Sequence, residues 1–172
     1  MSTNQIALWT MIGAWFSGIA TFSAVLASLH IANRKPKAHL TCKVGERIII
    51  GKNALGESLN EDGLAITVVN QSAAPVKIVS VGWKLDKGRF FHQMLGDINS
   101  DSVPKRIEYG EQAFFWIKYK GDDWIEKFAE ELQKRDVKIK KVRFFVGLST
   151  GKNFYFKPEK NFLEKLERLN KP

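Results

Sequence analysis

One cysteine, Cys42, in 172 residues excludes an internal disulfide, so this fold is not stapled and suits a reducing compartment. Cys42 has no His or Asn motif beside it, which makes it a core residue and not a catalytic thiol. Histidine is scarce as well: His30, His39 and His92 are scattered, and Asp97 and Asp101 do not stand at metal-ligand spacing from His92. A phosphate loop is missing, because Gly147 lies one residue too close to Gly151-Lys152 and Asn153 replaces the required hydroxyl. With no triad, carboxylate pair or metal cluster, we expect a non-enzymatic protein that uses no cofactor and no metal. Acids are also in deficit, 18 against 27 Lys and Arg, for a formal charge of +9. Such a surface draws acidic proteins, anionic lipid or nucleic acid.

Charge is absent altogether from Ile6 to Ala32. As a helix this stretch would be about 40 Å long, enough to cross a hydrocarbon core of about 30 Å. A cleaved secretory signal would be shorter and would follow a basic segment, whereas Met1 to Gln5 carries no basic side chain. We therefore expect residues 1–33 to be a transmembrane anchor, 34–37 a basic juxtamembrane linker and 38–172 a folded domain. Arg34, Lys35 and Lys37 follow the apolar run, which by the positive-inside rule predicts a single-pass inner-membrane protein with its N-terminus outside and its domain in the cytoplasm. Gly13, Ser17, Ala20, Ala24 and Ala27 recur at spacings of four and three. That stripe would let a second helix approach closely, giving a homo-oligomer or docking to a membrane partner.

Beyond the anchor the patterning is mostly that of strands. Leu40, Cys42 and Val44 alternate with polar residues, Ile48 to Ile50 makes a second short strand, and Gly51 to Gly63 has no apolar period and reads as a loop. Leu64, Ile66 and Val68 alternate up to the turn cluster Asn70 to Pro75. In the next strand the apolar parity changes between Ile78 and Val79, which predicts a bulge. Ala113 to Tyr119 is apolar on both parities, as in a central strand covered on two sides, and Val142, Phe144, Val146 and Leu148 alternate once more.

Helical spacing shows in two places. Trp124, Phe128 and Leu132 fall at i, i+4 and i+8 behind an acidic first turn with Asp122, Asp123 and Glu126. Phe162, Leu163, Leu166 and Leu169 stripe a short terminal helix, which either packs on the domain or lies on the membrane. Two groups are candidate contact surfaces. The aromatics Phe90 and Phe91 sit in an aperiodic stretch that either folds back over the sheet or forms an exposed rim. Lys138, Lys140, Lys141 and Arg143 lead a strand, either as a lysine-protected edge or as a phosphate contact.

Short strands with two helical insertions predict a mainly β fold, an antiparallel immunoglobulin-like sandwich behind a transmembrane helix. The run Ile66 to Trp83, ITVVNQSAAPVKIVSVGW, and the run Val142 to Phe156, VRFFVGLSTGKNFYF, resemble recurring segments of small, membrane-tethered bacterial and prophage proteins with an immunoglobulin-like domain. Leu148 stands where those proteins often carry an acid, so no role of that acid is carried over. The superinfection-exclusion proteins of prophages share this build. The resemblance implies an interaction module at the inner membrane, acting on a membrane or membrane-proximal protein, with exclusion of phage DNA as its concrete role. The alternative is a basic domain that binds nucleic acid or anionic lipid, or an accessory subunit of a membrane complex.

Overall fold

The computed structural model describes residues 3–33, 37–52, 58–119, 121 and 123–170. Two compact units are present, residues 1–36 and 37–172. The first is α1 (Thr3–Ala32), 30 residues with no acid in its first turn and none of its side chains buried. It is long and apolar enough to cross a membrane. Gly13, Ser17, Ala20, Ala24 and Ala27 all lie within α1, where their spacing puts them on one helical face. Arg34, Lys35 and the helix-stopping Pro36 lie outside the described residues, as does Asp122; Lys37 opens the second unit and is exposed.

The second unit holds β1 (Leu40–Lys52), β2 (Ser58–Asn70), β3 (Val76–Lys84), β4 (Phe90–His92), β5 (Lys105–Ile107), β6 (Gln112–Lys118), α2 (Trp124–Lys134), β7 (Arg143–Leu148), β8 (Asn153–Phe156) and α3 (Lys160–Leu169). Every pairing is antiparallel. One sheet has the order β1-β2-β6, the other β4-β3-β7-β8 with β5 also on β3. Their inward residues, among them Val44, Ile66, Phe115, Ile78, Trp83 and Phe144, belong to one buried cluster. Among the described residues helix and strand take equal shares, so the expectation of a mainly β chain gives way to a mixed one. The long α1 accounts for much of that helix.

Three strand expectations need correction. Residues 40–52 form one strand, and the stretch read as a loop from Gly51 to Gly63 is largely strand: β1 runs to Lys52, β2 starts at Ser58, and only 53–57 fall outside the described residues. In this arm Ile48 and Ile50 are exposed, so it carries no core-facing alternation to read. Next, β6 is an edge strand, not a central one. Its outward backbone groups are met by the 93–104 loop. The Asp101 amide donates to the Phe114 carbonyl at 2.8 Å, the Phe114 amide donates to Asp101 Oδ2 at 2.7 Å, and the Ser100 hydroxyl donates to the Trp116 carbonyl at 2.9 Å. Finally, β7 is the strand covered on two sides, since Phe145 is buried along with Phe144 and Val146. The bulge is where parity puts it, in a register shift between Ile78 and Ser80.

Trp83 organises the core. Its ring lies 5.1 Å from Phe128, 5.2 Å from Phe144, 5.4 Å from Phe162 and 6.0 Å from Trp124, so one indole joins β3, β7, α2 and α3. The predicted stripe of α2 faces this knot, with Phe128 and Leu132 buried. Asp123 precedes α2 in the left-handed region at φ 46° and makes no side-chain cap, so the helix start rests on packing. The α3 stripe packs on the domain, with Phe162, Leu163 and Leu166 buried. Cys42 is half-buried against the core, and burial pushes its thiol up, away from reactivity.

The start of α3 is pinned to β1. The Glu159 amide donates to the Val44 carbonyl at 2.8 Å, and Arg47 grips the Glu159 carboxylate through both amino groups at 2.8 and 2.9 Å. Gly45 makes room, since a Cβ there would collide with that carboxylate. The hydrogen bonds from Arg47 hold the Glu159 carboxyl below the usual range. A depressed carboxylate stabilises the fold above its unfolded pKa and loses that contribution as pH falls through its folded value. Both side chains are largely exposed, at 48% and 36%, so screening leaves about 0.5 kcal/mol. Glu159→Gln should lower the urea midpoint slightly at pH 7 and flatten its decline below about pH 4.5. An unchanged acid limb would remove this pair from the stability account.

Candidate functional site

Strand parity sends Trp83, Phe91, Phe144 and Phe156 to the core side of the five-stranded sheet, and their neighbours to the other side. Register then aligns those neighbours across strands: Phe90 opposite Lys84 and Lys84 opposite Arg143, then His92 opposite Gly82, Gly82 opposite Phe145 and Phe145 opposite Tyr155. The result is an outward face built from rings and cations.

Phe145 is the floor of this face. It is 2% exposed, with the rings of Phe90 and His92 each edge-on to it at 5.5 Å. Gly82 permits that packing, because a Cβ there would collide with the Phe91 carbonyl oxygen and the Phe145 ring. Around the floor, Phe90 is 40% and Tyr155 43% exposed, their centroids 6.4 Å apart. The Lys84 ammonium stands 4.3 Å from the Tyr155 centroid, a cation–π contact. Arg143 donates to the carbonyls of Lys140 and Val142, both at 2.8 Å, which fixes the guanidinium beside the basic turn. Among the described residues, no acid occupies an outward position on β3, β4, β7 or β8.

The predicted contact residues are partly gathered here. Phe90 and Arg143 share one cross-strand row through Lys84. Lys138, Lys140 and Lys141 are exposed, but they sit on a short 3-10 turn before β7 and not along a strand edge; Val137, Ile139 and Val142 anchor that turn in the core. Phe91 is elsewhere: it points inward, 6.2 Å from Phe128, with the Arg135 guanidinium 5.2 Å from its ring. The aperiodic stretch is thus split, since Leu95 packs on the core while Met94 and Ile98 are 87% and 94% exposed. Sequence reasoning missed Lys84, Phe145 and Tyr155. The parity opposite to Val142, Phe144 and Val146 was the available signal.

A second, polar cleft of about 370 Å³ is lined by Glu46, Arg47, Ile48, Asp62, Tyr119 and Lys165. Its charges largely satisfy one another: Lys165 pairs with Glu46 at 2.8 Å and lies 4.1 Å from the Tyr119 centroid, and Arg47 is held by Glu159. Burial, then the Glu46 carboxylate, push the Tyr119 phenol up, so it stays protonated. Among the described residues, no three His, Cys, Asp or Glu side chains are grouped to hold a metal ion. The outer face is open, aromatic and cationic, suited to binding an anionic surface, with the His92 imidazole exposed on it. Compared with protein-family models and with curated proteins, the chain matches none.

Proposed function

We propose that this protein is a membrane-anchored, non-enzymatic interaction module that holds a recognition domain at the inner-membrane surface, with α1 spanning the bilayer and the domain in the cytoplasm. The observation that carries this reading is the joining of a 30-residue apolar helix to a domain whose outer sheet face offers rings and cations without an acid. A tether confines the domain near its partner, which raises the effective concentration without any added contact. The partner is a membrane or membrane-proximal protein with an acidic surface, and the concrete role is exclusion of incoming phage DNA.

The domain is read as immunoglobulin-like. In support, the strand orders β1-β2-β6 and β4-β3-β7-β8 correspond to the A-B-E and C′-C-F-G orders of that fold, and a buried tryptophan, Trp83, sits on the strand in the C position. The basic face also favours a second reading, a domain that binds anionic lipid or nucleic acid beside the membrane.

Expression of the intact chain should protect cells at the step of phage DNA passage while adsorption stays normal. Deleting residues 1–33 should abolish protection with the domain still folded, and Lys84→Glu with Arg143→Glu should weaken partner retention on the order of 100-fold. Protection by the soluble domain alone would overturn the tether, and no protection across a broad phage panel would overturn the exclusion role. A periplasm-only reporter fused after Pro172 should be silent. Gly13→Leu with Ala20→Leu would test α1 as a contact helix.

A further inference from the structure

The β1–β2 ladder uses the odd-numbered residues of β1: the Gln71 amide donates to the His39 carbonyl at 2.9 Å, and Tyr119, across β2, donates to Asp62. Even-numbered residues of β1 therefore turn their backbone groups to the outer edge, as Val44 does in accepting the Glu159 amide. Further along, the edge changes character. Glu46 receives Arg47 Nη1 on its carbonyl, but Ile48 and Ile50 have no described backbone partner on that side, and their side chains are 60% and 77% exposed. An apolar, outward-bonding edge of this kind is a template for another strand.

Its sequence is complementary to its own reverse. We propose that the β1 edge from Glu46 to Lys52 pairs antiparallel with the same edge of a second copy of this chain, about a twofold axis at Ile49. Even residues then bond across the interface, as the outward groups require: Ile48 meets Ile50 of the other copy and Glu46 falls in register with Lys52. Three isoleucine pairs fill the middle. The contact is isologous and closed, so it stops at a dimer. The Arg47–Glu159 pair stands just before Ile48 and leaves Ile48 and Ile50 exposed. This pairing requires neither the anchor nor the basic face.

Intact protein in detergent, in a Cys42→Ser background, tests it. At the axis, Ile49 is a non-hydrogen-bonded pair with Cα atoms about 4.5 Å apart, within disulfide reach. Ile49→Cys should therefore give a disulfide-linked dimer under mild oxidation, at least roughly tenfold more than Val79→Cys on the other sheet. Adding Ile48→Pro removes only an outward N–H, and should abolish the crosslink while circular dichroism is unchanged. Ile48→Lys with Ile50→Lys, acting on exposed side chains alone, should do the same. Crosslinking no greater than that of Val79→Cys, or surviving the double lysine, would overturn the pairing. So would an Ile49→Cys thiol shielded from a water-soluble maleimide without dimer, which would place the arm in the detergent micelle.

Discussion

Trp83→Ala is expected to destabilise the folded domain by about 3–5 kcal/mol, the range for deleting a large buried aromatic. The indole is 1% exposed and is in ring contact with α2, α3 and β7 together. Truncation leaves a cavity that cannot collapse from one side, since its ring neighbours come from α2, α3 and β7. Domains of this size are stable by roughly 5–15 kcal/mol, so the loss removes a large fraction of the total. Urea unfolding followed by far-UV circular dichroism should show the midpoint fall, with α2 and α3 losing hydrogen-exchange protection first. Trp83→Phe should recover part of the loss. A cost under about 1 kcal/mol would show that the helices are held by other contacts.

The second large effect is polar. Asn70→Leu should cost about 3 kcal/mol although it keeps the side chain's approximate size, because it removes a buried amide whose donors and acceptor are all engaged. Asn70 is 0% exposed; its amide donates to the Ala74 carbonyl at 3.0 Å and the Ile107 carbonyl at 3.1 Å. Its carbonyl accepts the Ser72 amide at 2.9 Å and the Ser72 hydroxyl. One side chain thus closes the turn between β2 and β3 and ties it to the end of β5. Asn70→Asp keeps the acceptor and loses the donors, so it separates the two halves of the network. Equal midpoints for Asn70→Leu and the parent would mean that the turn holds its shape without the amide.

Several features were legible because local physics decides them. A run of 27 residues from Ile6 to Ala32 without charge can satisfy its backbone only as a helix if it lies in lipid, and α1 covers it. The parity change at Ile78 and Val79 became the register shift, since apolar parity reports which face is buried. The stripes of α2 and α3 met the core for the same reason.

What apolar patterning could not carry was structure outside the core or covered by loops. The β1–β2 arm was read as a loop from Gly51 to Gly63 because period-two alternation signals half-burial and not the strand itself, and here Ile48 and Ile50 are exposed. The places of β6 and β7 were exchanged for a related reason: the 93–104 loop and the rings of Phe90 and His92 cover them, and apolar residues record coverage without naming what covers. The sequence by itself determined the apolar helix, the strand-rich domain, the bulge and the two amphipathic helices, each a property of neighbours along the chain. The basic aromatic face was decided only by tertiary structure, because Lys84, Phe90, Arg143 and Tyr155 meet through the register of four strands, and register is set by which residues the whole core buries.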